Sequence, residues 1–403
     1  MTLPNKSLKH WIVLICCCGL AASSVGSVVN TVGVYYTSVS ESLGVLRGTF
    51  ALHATFLTLA IAFVSLVAPK LMDKFNFKML IIVGTALVTL SSLLMAMSNS
   101  VWMFYIAAII KGAGAAIYNI LLITTILNHW FKEKIGLATS ITLSFSGVAG
   151  AVLSPLLTNI IEASGWRTAY IALGIISLVL SLPAILFPFH LDPKEDGLLP
   201  YGSTEDAQAK KSASTTSFAW LQTNFILFLI AAVLFTAITG LPSHLPGYAQ
   251  SIGISASTGA LMLSATMIGN ISSKLLIGAL ADKMGAIKSV YVMMIVIAAS
   301  VFLFMFIHVE SIVLIASFIF GSCYSITAVG ISLMTKLFFG EENYVKAYSI
   351  VSFGTNFGAA FAMSAFGYVY DFTQSYYLDF ILILAFLAIN LLILFQLKRK
   401  AIR

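Results

Sequence analysis

The chain has 403 residues, of which 59% are hydrophobic and only 9% are charged, with 22 Lys and Arg against 15 Asp and Glu. Soluble domains carry about 25% charged residues, so a soluble protein of this composition would expose large apolar patches. The composition therefore places the chain in a lipid bilayer. It also argues against a nucleic-acid partner, because the basic residues are dispersed and do not cluster on one soluble face.

Long apolar stretches recur along the whole chain. A helix that crosses a bilayer needs about 20 predominantly apolar residues, and the sequence predicts twelve such helices, at 11–36, 48–72, 77–97, 102–128, 136–161, 167–190, 218–240, 255–281, 287–307, 311–336, 345–370 and 377–397. The alternating pattern of a membrane barrel is absent, and helices satisfy the backbone in hydrocarbon. The predicted fold class is an all-α, multi-pass protein of the cell membrane.

The positions of the basic residues predict an orientation. With twelve spans both termini lie on one side, and that side collects eighteen Lys and Arg, whereas the other has only Arg47 and Arg167. Positive residues accumulate on the cytoplasmic side, so both termini are predicted to be cytoplasmic. The remaining two cations, Lys111 and Lys274, lie inside predicted spans.

Two other features of the chain are interpreted as structural. The first apolar run is too long for a secretory signal and is followed by eleven more spans, so we expect it to be a membrane helix. The four cysteines lie in apolar spans without ligand partners and predict neither a metal site nor a disulfide framework.

The chain divides into two halves that repeat each other. A polar segment separates spans 6 and 7, which predicts a six-helix bundle at 1–190, a cytoplasmic connector at 191–217 and a second six-helix bundle at 218–403. The loop after span 2 contains Asp73-Lys74, and the loop after span 8 contains Asp282-Lys283, 209 residues later. Two six-span halves in parallel orientation are typical of secondary transporters.

The second copy of this loop carries a recognisable motif. Gly278-x-x-x-Asp282-Lys283-x-Gly285 resembles the signature loop of the major facilitator superfamily, and the first copy departs from it at Pro69 and Asn76. The resemblance covers the whole chain and implies alternating access without a cofactor. It also implies that Asp73, Lys74, Asp282 and Lys283 form a latch that stabilises the outward-open state.

The cations inside the spans are the most informative residues for function. All fifteen acidic residues lie in loops or at span ends, whereas Lys274 lies about 12 Å into the membrane and Lys111 about 15 Å, at 1.5 Å per residue. A lysine at the bilayer centre costs about 2.5–3.5 kcal/mol. Either the side chain reaches the headgroups, or it faces a cavity in which an anionic substrate supplies the countercharge.

Asn270 lies one helical turn before Lys274 on the same face. The pattern Asn270-x-x-x-Lys274 ahead of Asp282 is similar to span 8 of the oxalate/formate antiporter and monocarboxylate transporter group. This resemblance implies that Lys274 binds a carboxylate that Asn270 orients, and that Tyr118 and Tyr324 line the cavity. Group members carry charged residues at the positions of Asn30 and Thr355, which are neutral here, so a monocarboxylate is expected unless Lys111 supplies a second cation.

Several further questions stay open at the level of the sequence. Tyr35 and His244 are candidates for the binding cavity, although a tyrosine in a span more often packs between helices. Coupling could come from exchange, from His53 or His244, or from Lys274 itself. No phosphate-binding loop or His/Asp/Cys cluster predicts ATP hydrolysis or an enzyme.

The predicted protein is a monomeric secondary transporter of a small carboxylate, by antiport or symport, and its other partner is the lipid bilayer. The alternatives are an exporter of an amphipathic compound and a membrane sensor that does not transport.

Overall fold

The computed structural model describes residues 7–203 and 223–401, and within these ranges the chain is helical apart from short turns and one isolated bridge between Phe131 and Tyr201. The α-helices in chain order are α1 Leu8–Ala21, α2 Tyr36–Leu43, α3 Arg47–Lys74, α4 Phe77–Met97, α5 Val101–Ile117, α6 Ile120–Trp130, α7 Ile135–Leu186, α8 Thr223–Ile238, α9 Leu245–Ser251, α10 Ala256–Met284, α11 Ala286–Phe306, α12 Glu310–Phe320, α13 Cys323–Ser325, α14 Ile331–Thr373 and α15 Tyr377–Ala401. The all-α fold is confirmed.

Eleven stretches of the described chain are long and apolar enough to cross a membrane. The longest, α7, consists of two helices that meet at Gly165, whose φ of 83° and ψ of 163° lie outside the helical region. Predicted spans 5 and 6 also meet at this position. The twelfth crossing and the side of the termini stay predictions, and we use "cytoplasmic" and "outer" for the two predicted sides.

The first span is longer than predicted and changes its helical type. A π-helical segment, Ala22–Ser27, follows α1, and a 3-10 segment, Val32–Tyr35, precedes α2. Hydroxyl groups accompany the change: Ser24 donates to the carbonyl of Leu20 at 2.8 Å, and Ser27 donates to that of Ser23 at 2.7 Å. Such back-bonding competes with the regular backbone ladder and bends helices.

The chain forms two compact units, and their boundaries do not follow the predicted halves. One unit comprises Met1–Val32 and Ala60–Ser212, and the other comprises Gly33–Leu59 and Ala213–Arg403. The segment 33–59, from the end of span 1 to the middle of span 2, therefore packs with the second unit. The division at 190 and 217 stays a prediction about the sequence halves.

In the first unit, α4 and α5 approach closely at two glycines. A Cβ atom added at Gly84 would lie 2.7 Å from the carbonyl oxygen of Gly114 and 2.5 Å from Cδ1 of Tyr118. Only a residue without a side chain lets the two backbones come this close. This crossing places Tyr118 against the serine-rich part of span 1.

The beginning of the connector packs onto the first unit, although its composition predicts a solvated segment. Pro193 and Leu198 are buried, and the indole of Trp130 donates to the carbonyl of His190 at 3.0 Å. Lys9 forms an ion pair with Asp196 at 3.0 Å. Burial alone would raise the pKa of the Asp196 carboxyl, but hydrogen bonds from His190 and Lys9 outweigh it and hold the pKa below its ordinary value.

The connector prediction is therefore incomplete, because residues 191–203 carry enough apolar surface to dock. Residues 204–222 lie outside the described residues.

Candidate functional site

The lysine-bearing helix of the second unit, α10, crosses the α12–α13 segment at a pair of glycines. A Cβ atom added at Gly269 would lie 1.9 Å from the carbonyl oxygen of Phe318, and one added at Gly321 would lie 2.2 Å from that of Thr266. The obstacle in both cases is backbone, which cannot rotate away. The crossing therefore fixes Asn270 and Lys274, which follow Gly269, against the turn that carries Cys323 and Tyr324.

Three of the sequence-predicted residues lie on this crossing. Asn270 is 6% exposed, and its Oδ1 atom has no hydrogen-bond partner among the described residues. Lys274 is half-buried one turn further along, and α10 packs against α13, which carries Cys323 and Tyr324. Tyr324 packs against the apolar core of the second unit. An ammonium group and an unused amide oxygen thus occur on one face of α10.

A π-helical segment, Ile326–Gly330, follows α13 directly. Such segments widen the helix locally and occur frequently at functional sites. A second π-helical segment, Ala22–Ser27, lies in span 1, and the role of the α10–α13 region stays a prediction.

The other predicted residues of the second unit lie on different elements. Thr355, on α14, donates to the carbonyl of Ser352 at 2.8 Å, and Tyr35 is 1% exposed. Nε2 of His244 lies 2.7 Å from the carbonyl oxygen of Met363, and the ring lies 5.0 Å from that of Tyr36. A carbonyl only accepts, so Nε2 of His244 carries the proton. These contacts place His244 in an aromatic cluster and not on the α10 crossing.

The first unit contains Asn30, Lys111 and Tyr118. The side-chain amide of Asn30 donates to the carbonyl of Ser146 at 2.9 Å, and the hydroxyl of Tyr118 lies 3.0 Å from that of Ser23. Both groups have local structural partners. Lys111 is 2% exposed, and its Nζ atom lies 5.7 Å from the centre of the Tyr170 ring. An aromatic face compensates a buried ammonium only in part.

The loop residues that resemble the family latch lie at the cytoplasmic ends of α3 and α10. Asp73, Lys74, Asp282 and Lys283 are exposed. Within the described parts of the chain, the ion pairs all involve Asp196. The latch role of these four residues stays a prediction.

The sequence analysis missed a polar contact at the outer ends of the helices. Asp371, near the end of α14, accepts hydrogen bonds from the backbone N–H groups of Arg47 at 3.1 Å and Gly48 at 2.7 Å. The Arg47 guanidinium lies 4.4 Å from the centre of the Tyr370 ring and donates to the hydroxyl of Tyr376 at 3.3 Å. We call Arg47, Gly48, Asp371 and Tyr376 the outer latch.

Close packing supports the outer latch. A Cβ atom added at Gly367 would lie 2.7 Å from Cα of Gly48, so α3 and α14 touch through their backbones. One turn further along, the hydroxyl of Thr55 lies 2.6 Å from that of Ser364. A signal for this contact exists in the sequence, since Arg47 and Asp371 are an outer cation and an outer carboxylate, but their pairing needs the tertiary fold.

Metal chemistry has no support in the described residues, where no three His, Cys, Asp or Glu side chains come together. The described cysteines are free and buried.

Known transporters are similar to this chain over almost its whole length. The family model of the Major Facilitator Superfamily matches residues 14–255 and 227–402. The MFS-type transporter YfkF of Bacillus subtilis is 26% identical over 337 residues, which cover 81% of this chain and 80% of YfkF. The oxalate:formate antiporter of Oxalobacter formigenes is 26% identical over 224 residues, 55% of this chain and 51% of the antiporter.

The fold matches a solved transporter as well. The crystal structure of the nucleoside transporter NupG, at 15% identity, superposes with a TM-score of 0.75 and covers 97% of this chain and 99% of NupG. The similarity at this identity concerns the fold. The family match, with the helices and the repeated loop described above, gives the conclusion that the chain belongs to the Major Facilitator Superfamily of transporters.

Proposed function

We propose that the protein transports a small organic anion, with monocarboxylates as the expected class, and that Lys274 binds the carboxylate. The observation that carries the proposal is the position of Lys274, one helical turn after the buried Asn270 on α10, without a carboxylate partner among the described residues. We expect it to work as a monomer in the cell membrane by alternating access.

The ammonium group of Lys274 is the charge that a bound substrate would balance. A half-buried ammonium group in an apolar helix needs a countercharge, and the ion pairs of the described chain give it no carboxylate. A substrate carboxylate would supply that charge in surroundings that exclude most of the water, where the attraction is stronger than in bulk solvent. The Asn270 amide adds a donor for the second carboxylate oxygen.

The relatives support the same class of substrate. The oxalate:formate antiporter is named for two carboxylates, and its similarity covers about half of this chain. Within the second unit, Lys274 is the predicted substrate-binding cation, and Thr355 is neutral. One cation suits a monocarboxylate better than a dicarboxylate, whose second carboxylate would need a further positive partner.

The proposal is tested with purified protein and proteoliposomes. We expect formate, acetate or lactate to raise the melting temperature, since a ligand at 100 times its Kd stabilises the folded state by about 2.7 kcal/mol. Lys274→Gln should abolish both this shift and counterflow of the same labelled anion. Lys288→Gln, which removes an exposed cation at the start of α11, is the matched control and should leave both unchanged.

Three outcomes contradict the proposal. Undiminished counterflow in Lys274→Gln would remove Lys274 from the site. A melting shift without counterflow in the wild-type protein would favour the sensor, and transport confined to amphipathic or cationic compounds would favour the exporter.

A further inference from the structure

A buried carboxyl group lies near the outer end of the last helix. Asp379 is the third residue of α15 and is 0% exposed. Neither of its carboxyl oxygens has a hydrogen-bond partner among the described residues. An ionised carboxylate in such surroundings carries a large desolvation cost, which the binding of a proton would remove.

No ion pair within the described residues involves Asp379. Helix α15 packs against α8, α11 and α14. Helix α8 has no titratable side chain, and those of α11, Lys288 and Tyr291, lie in its first two turns at the opposite, cytoplasmic end. The described charged and titratable groups at the outer ends of the second unit include Arg47, His244, Tyr248, His308, Glu310, Tyr368, Tyr370, Asp371, Tyr376 and Tyr377.

Most of these outer groups are engaged elsewhere. Arg47 and Asp371 form the outer latch, and the hydroxyl of Tyr248 donates to the carbonyl of Phe304 at 2.6 Å. His244 is bonded to the carbonyl of Met363. The hydrogen bonds of these groups are therefore directed to partners other than Asp379.

Tyr376 lies three residues before Asp379, just ahead of α15. Residues 372–375 are exposed, whereas Tyr376 is 2% exposed and stacks on the Tyr370 ring at 4.4 Å. Burial raises the pKa of the Tyr376 hydroxyl, Arg47 opposes the shift, and Asp379 adds to it. Tyr376, which accepts a hydrogen bond from Arg47, is thus the residue of the outer latch that lies nearest to Asp379 along the chain.

We propose that Asp379 is the coupling-proton site of this transporter: its carboxylate takes a proton from outer water when the outer latch opens and Tyr376 moves away. The proton becomes the O–H of a neutral carboxylic acid, and no other bond changes. The inference rests on the proposed function, because coupling needs a transported anion. A metal cation does not fit the site, because among the described residues Asp379 belongs to no cluster of three potential ligands.

The first experiment measures proton binding without transport. Infrared spectra of purified protein in D₂O, recorded as the pH is lowered, should show the carbonyl band of a protonated carboxyl group that is missing in Asp379→Asn. Glu41→Gln, which removes an exposed outer carboxylate, is the matched control and should keep the band. Identical bands in the wild type and in Asp379→Asn would overturn the proposal.

The second experiment measures coupling in proteoliposomes at outer pH 5.5 and inner pH 7.5, with labelled lactate and protein-free liposomes as the blank. A one-to-one proton symport accumulates label by up to about 100-fold, since each pH unit is a tenfold difference in proton activity. In Asp379→Asn we expect this accumulation to be lost while counterflow stays within about twofold of the wild type. Asp379→Glu should restore part of it.

The outcomes separate the two proposals. If the wild-type protein shows no carboxylate counterflow, the proposed function fails, and the infrared experiment still tests whether Asp379 binds the proton. If counterflow is present and Asp379→Asn still accumulates label in response to the proton gradient, the coupling inference is overturned. Loss of both activities with a lowered melting temperature would assign Asp379 a structural role and would also overturn it.

Discussion

Asp371→Ala should open the outer side of the transporter. The substitution removes the acceptor of the two hydrogen bonds from the first turn of α3, at 3.1 and 2.7 Å. Hydrogen bonds to a charged group contribute about 1.5–3 kcal/mol each when buried, and a helix-capping group contributes about 1–2 kcal/mol. Because Asp371 is half-exposed, we expect a total near 2 kcal/mol, or about a 30-fold shift toward the open arrangement.

The assay reads the exposure of one cysteine. Ala51 is 0% exposed and lies on the same face of α3 as Gly48 and Thr55. In a background without native cysteines, Ala51→Cys should react with a membrane-impermeant maleimide about 30 times faster when Asp371→Ala is added. Glu41→Gln should change the rate by less than twofold, because Glu41 is exposed and does not contact the latch.

A change of less than threefold in Asp371→Ala, with an unchanged melting temperature, would refute the reasoning. Arg47→Ala gives an internal comparison. It removes the contacts with Tyr370 and Tyr376 but leaves the backbone N–H groups that Asp371 binds. Its effect on the labelling rate should therefore be smaller than that of Asp371→Ala.

Two further predictions concern packing and the connector. Gly269→Ala should destabilise the folded protein by about 1–3 kcal/mol and so lower its melting temperature, because the new Cβ atom would lie 1.9 Å from the carbonyl oxygen of Phe318. Gly278→Ala should not lower the melting temperature, because a Cβ atom added at Gly278 would have no neighbouring atom within 4 Å. Asp196 has a lowered pKa in the folded state, so its stabilisation is present above the unfolded pKa of about 4 and is lost as the pH falls through the folded value. Hydrogen exchange of residues 190–203, corrected for intrinsic rates, should therefore rise below pH of about 4 in the wild type, whereas in Asp196→Asn it should already be high at pH 7.

The membrane helices were predictable because a span needs only length and apolarity. Predicted span 3 and helix α4 have the same bounds, 77–97, and the break at Gly165 coincides with a predicted boundary. The additional length of the first span was not predictable. Its continuation through a π-helical and a 3-10 segment depends on serine hydroxyl groups bonding to specific carbonyls, which hydropathy does not register.

In the candidate site, too, local relations between residues were predictable and contacts made by the tertiary fold were not. The position of Lys274 one turn after Asn270 follows from helical periodicity alone, and so the sequence could pair them. The outer latch could not be predicted, because Arg47 and Asp371 are separated by more than 300 residues and meet only through the close approach of Gly48 and Gly367. The burial of Asp379 could not be predicted from its place at a span end, because burial depends on which face of α15 packs inward.

The two proposals together give a physical reason for coupling. An empty transporter carries an ammonium group at Lys274 and a carboxyl group at Asp379, and neither has an oppositely charged protein partner among the described residues. A bound monocarboxylate neutralises the first, and a bound proton neutralises the second. A change of conformation moves both groups through low-dielectric surroundings, so each uncompensated charge raises its barrier. The fully loaded protein carries neither penalty, whereas a protein loaded with one partner alone retains one, and this difference favours transport of the anion and the proton together.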